Sequence, residues 1–123
     1  MPENSNLHIP IKFVKKGWGY EKWIVNKSLY CGKLLFFNKG KKCSWHYHIK
    51  KDEVFFLQSG RMIVRYSKND SLENAEEIML EPGMNFYVYP GLRHQMEAIE
   101  DSELYEFSTE HFDEDSHRIQ KGD

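Results

Sequence analysis

Three side chains able to hold a metal ion, His46, His48 and Glu53, lie close together in the chain, bracketed by the turn glycines Gly40 and Gly60. A fourth candidate, His94, follows a second turn at Pro90-Gly91. Neutral imidazole suits zinc, iron, nickel and copper, and two histidines with one carboxylate make the ligand composition of non-haem iron sites. The chemistry on offer is that of a bound divalent cation, acting as a Lewis acid or in redox reactions.

These side chains can chelate only if the chain around them is extended. Alternation along a strand puts His46 and His48 on one face about 6.5–7 Å apart, whereas a helix would turn them about 200° from each other. A strand starting at Glu53 should follow, folded back beside the first by the short linker Ile49-Lys50-Lys51-Asp52. Candidate strands cover 12–15, 20–26, 30–38, 43–48, 53–59, 61–67, 76–80, 85–89, 93–99 and 103–109. Turn chemistry at Lys39-Gly40, Ser59-Gly60, Lys68-Asn69-Asp70-Ser71, Pro82-Gly83 and Pro90-Gly91 separates them. Short strands at this spacing predict an all-β sandwich or barrel. The expected organisation is an N-terminal arm at 1–11 containing His8, a barrel at 12–110 and a tail at 111–123. The acidic run from His111 to Arg118 reads as a solvated tail or short helical turn.

Alternation also assigns faces. His94, Met96 and Ala98 share one, as do Leu104, Glu106 and Ser108, and Phe55 and Leu57 follow Glu53 inward. Cys43, three residues before His46, should face away from the ligands. Apolar residues on both faces of several strands imply a covered outer surface, and a second subunit is the economical cover, so a homodimer is expected.

The 123 residues give room for one core, and a net charge of −2 gives no general attraction to nucleic acid or anionic membrane. No apolar run approaches the roughly 20 residues that span a bilayer. The first six residues lack the layout of a signal peptide. Two cysteines, Cys31 and Cys43, do not describe a secreted disulfide scaffold. A cytoplasmic location is the expectation.

The run Gly40-x5-His46-x-His48-x4-Glu53-x6-Gly60 resembles the first motif of the cupin superfamily at every fixed position. Gly83-x5-Tyr89-Pro90-Gly91-Leu92-Arg93-His94 is similar to the second, with Tyr89 in place of its first proline and Ala98 in place of its final asparagine. The resemblance implies a single-domain cupin jelly-roll β-barrel. It implies one divalent metal ion (Zn, Mn, Fe or Ni) held by His46, His48, Glu53 and His94.

The flanks narrow the resemblance to mannose-6-phosphate isomerase type II cupins. Lys16-Gly17-Trp18-Gly19-Tyr20-Glu21, Cys31-Gly32-Lys33-Leu34, Lys50-Lys51-Asp52-Glu53 and Glu106-Phe107-Ser108-Thr109 carry it, with Gly17 where such cupins have proline. The implied function is a metal-dependent isomerase or epimerase acting on a small sugar or sugar phosphate. Such a reaction needs a carboxylate of raised pKa to shuttle a proton, and Glu106 is the candidate base. Lys33, Lys51, Arg61 and Arg93 are candidate phosphate ligands, each also readable as a solvated surface charge. Similarity to cupins ending in S-T-x-H with a downstream D-S-x-R adds a second reading of the tail, in which His111 or Arg118 folds over the barrel mouth. A non-haem Fe(II) dioxygenase and a non-catalytic carbohydrate- or metal-binding module are the alternatives.

Overall fold

In the computed structural model, which describes residues 9–123, the chain forms eleven strands. They are β1 (Lys12–Lys16), β2 (Gly19–Asn26), β3 (Cys31–Phe37), β4 (Trp45–His48), β5 (Glu53–Ser59), β6 (Met62–Ser67), β7 (Glu76–Leu80), β8 (Asn85–Val88), β9 (Arg93–Ala98), β10 (Ser102–Ser108) and β11 (Ser116–Gln120). The first ten correspond to the expected strands. The eleventh lies in the expected tail, preceded by a short 3-10 turn at Asp113–Asp115. Positions 1–8 of the expected arm, His8 among them, lie outside the described residues. Among the described residues no helix is long and apolar enough to cross a membrane.

Two antiparallel sheets face each other, one in the order β1-β2-β3-β10-β5-β8 and the other β11-β4-β9-β6-β7. This is the double-sheet, all-β arrangement of a jelly-roll. The inward rows of three neighbouring strands share one design. From one end to the other they read Phe37-Leu35-Lys33 on β3, Leu57-Phe55-Glu53 on β5 and Leu104-Glu106 on β10, all buried. The ladders align them, with Leu104 beside Leu35 and Leu57, and Glu106 beside Lys33. The apolar ends join Met62, Val64, Leu80, Val88, Met96 and Ala98 in a single core. The polar ends open into a cavity. Burying the apolar halves stabilises the sandwich by about 25 cal/mol for each Å² removed from water.

Two expectations about local direction fail. β5 does not pair with β4: it lies in the other sheet between β10 and β8, because the linker crosses from sheet to sheet. Cys43 does not face away, since β4 begins only at Trp45 and alternation cannot be carried back past Ser44. Cys43 is 6% exposed, packs in the core, and its Sγ accepts the Met96 amide at 3.3 Å. Both cysteines are free thiols.

Candidate metal centre

His46 and His94 are direct cross-strand partners on β4 and β9, with ring centroids 4.3 Å apart. His48, two residues along β4 on the same face, lies 5.0 Å from the His46 ring and 5.6 Å from that of His94. One nitrogen from each of the three rings lies within 4.8 Å of the other two. Glu53 reaches this cluster from the opposite sheet, its Oε2 3.5 Å from His48 Nε2 and 3.4 Å from His94 Nε2.

The main chain sets the tautomers. Nδ1 of His46 faces the Ser44 carbonyl at 2.8 Å, that of His48 the Asp115 carbonyl at 3.1 Å, and that of His94 the Leu92 carbonyl at 2.9 Å. A carbonyl oxygen can only accept, so each Nδ1 donates and each Nε2 keeps a bare lone pair. Burial lowers the pKa of His46 to about 4 and of His48 to about 3, and holds His94 well below its ordinary value. All three imidazoles are therefore neutral near pH 7, the ligating form. Burial, with Glu106 adding to it, raises Glu53 well above the usual carboxylate range.

His94 Nε2 and both Glu53 oxygens are buried without a hydrogen-bond partner among the described residues. Unpaired buried polar atoms cost about 1–3 kcal/mol each, so a group that satisfies them together is called for. Three imidazole lone pairs and a carboxylate fit one divalent cation, and their composition does not select among first-row metals.

Beside the cluster, the cavity encloses about 610 Å³. Lys33 and Lys51, readable from sequence as surface charges, are 1% and 2% exposed and line it. Lys51 Nζ donates to Glu106 Oε2 at 2.9 Å and stands 3.9 Å from Glu53 Oε1. Lys33 Nζ lies 3.4 Å from Glu21 Oε1 and 4.2 Å from the centre of the Trp23 ring. The charge of each buried lysine is met by a carboxylate, which removes the cost of burying it alone.

Glu106 lines the same cavity and also accepts from Ser108 Oγ at 3.0 Å. Burial alone would raise its pKa, but the Lys51 and Lys33 ammonium groups bring it down to about 2. The raised pKa expected of a base at Glu106 is found instead at Glu53.

Arg61 and Arg93 do not line the cavity. Arg61 follows the Gly60 turn and pairs with exposed Glu81 at 3.2 Å. Arg93 precedes His94 and so points to the outer face, where it bonds Asp70 at 2.8 Å and covers the Tyr47 ring at 3.8 Å. Trp45 also points outward and is buried, donating to the Asp70 carbonyl at 2.8 Å.

Glu21 and Trp23, expected as strand residues, line the cavity together with Arg118, and Asp115, expected in the tail, is buried. The Asp115 carboxylate accepts the amides of Ile49, Lys50 and Lys51, which holds the linker between His48 and Glu53. The segment Ser116–Gln120 has one apolar residue, Ile119, so hydrophobic alternation gave no signal for this strand.

Two sheets enclosing three histidines and a glutamate that could hold a metal ion define a small jelly-roll. The cupin domain family profile matches residues 34–109, more than half of the chain, and the chain belongs to that family. Among solved structures it is similar to the capsular polysaccharide assembling protein CapF from Staphylococcus aureus, with a TM-score of 0.79 and 16% identity over 98% of this chain and 34% of that one. It is similar to KdgF from Halomonas sp., with a TM-score of 0.71 and 18% identity over 89% of this chain and 93% of that one. Oxalate decarboxylase from Bacillus subtilis gives a TM-score of 0.77 and 15% identity over 88% of this chain and 30% of that one. The chain spans about a third of the CapF length, and these likenesses show a shared fold. No curated protein sequence matches the chain.

Proposed function

We propose that this cupin binds one divalent metal through His46, His48, His94 and Glu53 and acts on a small sugar or sugar-phosphate-like molecule, as an isomerase or epimerase. The observation that carries the reading is the convergence of unpaired buried ligand atoms, with Glu53 Oε1 and Oε2 at the wall of a substrate-sized cavity and His94 Nε2 behind it, 3.4 Å from Glu53 Oε2. The flanking resemblance to mannose-6-phosphate isomerase type II cupins supports the choice of substrate class. A metal bound there would supply Lewis acidity toward a carbonyl and its neighbouring hydroxyl.

The chain's own residues would manage the proton. Glu106 is a weak base while Lys51 holds it, because its pKa is near 2. A substrate oxygen that takes over the Lys51 hydrogen bond would release Glu106 and raise its basicity. Lys51 then orients the carbonyl while Glu106 receives the proton from the adjacent carbon.

The test is anaerobic incubation of zinc- or manganese-loaded protein with aldoses and their 6-phosphates, with solvent deuterium exchange at C2 as readout. Exchange that disappears in E106Q supports isomerisation. A donor set of three imidazoles and a carboxylate also suits non-haem iron, so Fe(II)-dependent oxygen consumption without exchange would replace this reading with the dioxygenase one. Tight binding without turnover would leave a carbohydrate- or metal-binding module.

A homodimer in the cytoplasm completes the proposal. Ile24, Tyr30 and Phe107 stand 40%, 52% and 56% exposed beside an apolar groove on the outer face of the larger sheet. Sedimentation velocity should give twice the chain mass, and F107E should return it to one.

A further inference from the structure

The charge of the cavity runs against that of the chain. Seven basic side chains line it against five carboxylates, although the whole sequence carries a net charge of −2. Four of those carboxylates are held by donors of the protein. Glu21 lies against Lys16 and Lys33, Glu106 holds Lys51, Asp113 holds His111, and Asp123 accepts the Lys42 amide. Glu53 is turned to the imidazoles. The interior lysines are thus neutralised within the protein, and what the wall offers a ligand is the unmatched cations.

Arg118 is the best placed of these. It lies directly opposite His46 in the β4–β11 ladder, and it lines the cavity. Direct cross-strand partners project to the same face with Cβ atoms about 4.5–5.5 Å apart, so Arg118, exposed at the cavity rim, extends from beside His46. It makes no ion pair or side-chain hydrogen bond among the described residues, in contrast to Arg61, Arg65 and Arg93, each of which is tied to a carboxylate.

The strand that carries Arg118 is held at both ends. Before it, the Asp115 carboxylate is fastened by three successive amides of the 49–51 linker. After it, the Asp123 amide donates to the Lys42 carbonyl at 2.9 Å. Gly122 packs so closely on the main chain of Cys43 and Ser44, and Gly17 on that of Asp123, that a Cβ at either glycine would collide. This close approach also accounts for the glycine at position 17. The main chain that carries Arg118 is therefore fixed in advance, which limits the entropy lost on binding to that of its side chain.

We propose that Arg118 anchors an oxyanion group, carboxylate or phosphate, of the molecule that occupies this cavity, so that the ligand is an acid rather than a neutral sugar. The planar guanidinium presents paired N–H donors that match either oxyanion. Lys12, Lys15 and Lys121 at the cavity wall add attraction for the same charge. The inference rests on reading the cavity as the substrate site, but Arg118 acts independently of the metal.

The experiment follows the side-chain Nε–H resonance of Arg118 by NMR in the full chain, both metal-free and zinc-loaded. The probes are acetate, its neutral isostere acetamide, and inorganic phosphate. We expect saturable shifts at millimolar acetate or phosphate and none with acetamide, and the stronger of the two anions identifies the oxyanion. Trp23 fluorescence, which R118Q retains, should report at least tenfold weaker anion binding in R118Q and partial recovery in R118K. No saturable response to either anion, an equal response to acetamide, or unchanged affinity in R118Q would overturn the proposal. Zinc stoichiometry measured on the same samples reports separately on the metal reading: an anion response without zinc uptake retains the Arg118 anchor and rejects the metal centre.

Discussion

The Asp115 carbonyl accepts a hydrogen bond from His48 Nδ1 at 3.1 Å across 67 positions of sequence. The same residue's carboxylate collects the amides of Ile49, Lys50 and Lys51 at 2.9–3.2 Å. One residue of the final segment therefore sets a ligand tautomer and the shape of the linker leading to Glu53. Backbone amides grouped in this way form an anion-binding nest, and their hydrogen bonds hold the Asp115 pKa below its usual range against the effect of burial.

D115A keeps the carbonyl that meets His48 and removes the carboxylate, so it should loosen the linker and, through the shift of the main chain, the position of the His48 ring. Outer partners of metal ligands are worth on the order of 10–100-fold in metal affinity. Competition against a chromophoric zinc chelator should show a loss of that size, with D115N between the variant and wild type. Unchanged affinity in D115A would mean that the Asp115 carboxylate does not support the ligands.

His46→Ala and His94→Ala should each abolish metal retention through gel filtration, read by elemental analysis. Their rings are only 4.3 Å apart and share the cluster, so the double variant should lose no more than either single one. Full metal content in both single variants is incompatible with the proposed ligands.

Lys51→Met leaves the Glu106 carboxylate buried, and breaking one side of a buried pair costs about 3–5 kcal/mol. Urea denaturation should show most of that loss. K51M/E106L, which removes both charges, should recover the greater part of it, since an apolar replacement of a buried pair is often neutral. A double variant as unstable as K51M would mean that packing, not charge, is at stake.

Acid should destabilise the metal-free protein. The ordinary histidine pKa of 6.5 holds in the unfolded chain, whereas burial brings His46 to about 4 and His48 to about 3 in the folded one. Between those values the unfolded state binds more protons, so stability rises with pH and these groups cease to contribute to the slope above 6.5. Glu53 opposes this: its raised pKa makes stability fall as pH rises above 4.5 until the folded carboxyl also ionises. Three histidines outweigh one glutamate. Urea midpoints should climb from about pH 4.5 to 6.5, less steeply in H48Q and more steeply in E53Q. A midpoint that falls over this range would contradict the assignment.

Ten strands and the His46-x-His48 face were legible in the chain because alternation and turn glycines are local properties, acting over a few residues. So was His94, since the Pro90-Gly91 turn sets where its strand begins. The family motif rests on the same local spacings. What the tertiary structure alone decided is what meets across the cavity. Glu53 comes from the opposite sheet, because the linker crosses instead of turning back, and Cys43 turns inward where no strand yet imposes alternation. Lys33 and Lys51 are buried because Glu21 and Glu106 lie opposite them, and a lysine's sequence neighbours do not reveal a partner 12 or 55 positions away. The final segment read as solvent-exposed because its acidic composition resembles a tail. It became β11 because Asp115 found three amides and the edge of β4 was free to pair. Burial and pairing depend on how the sheets close on each other, and only the closed sandwich determines them.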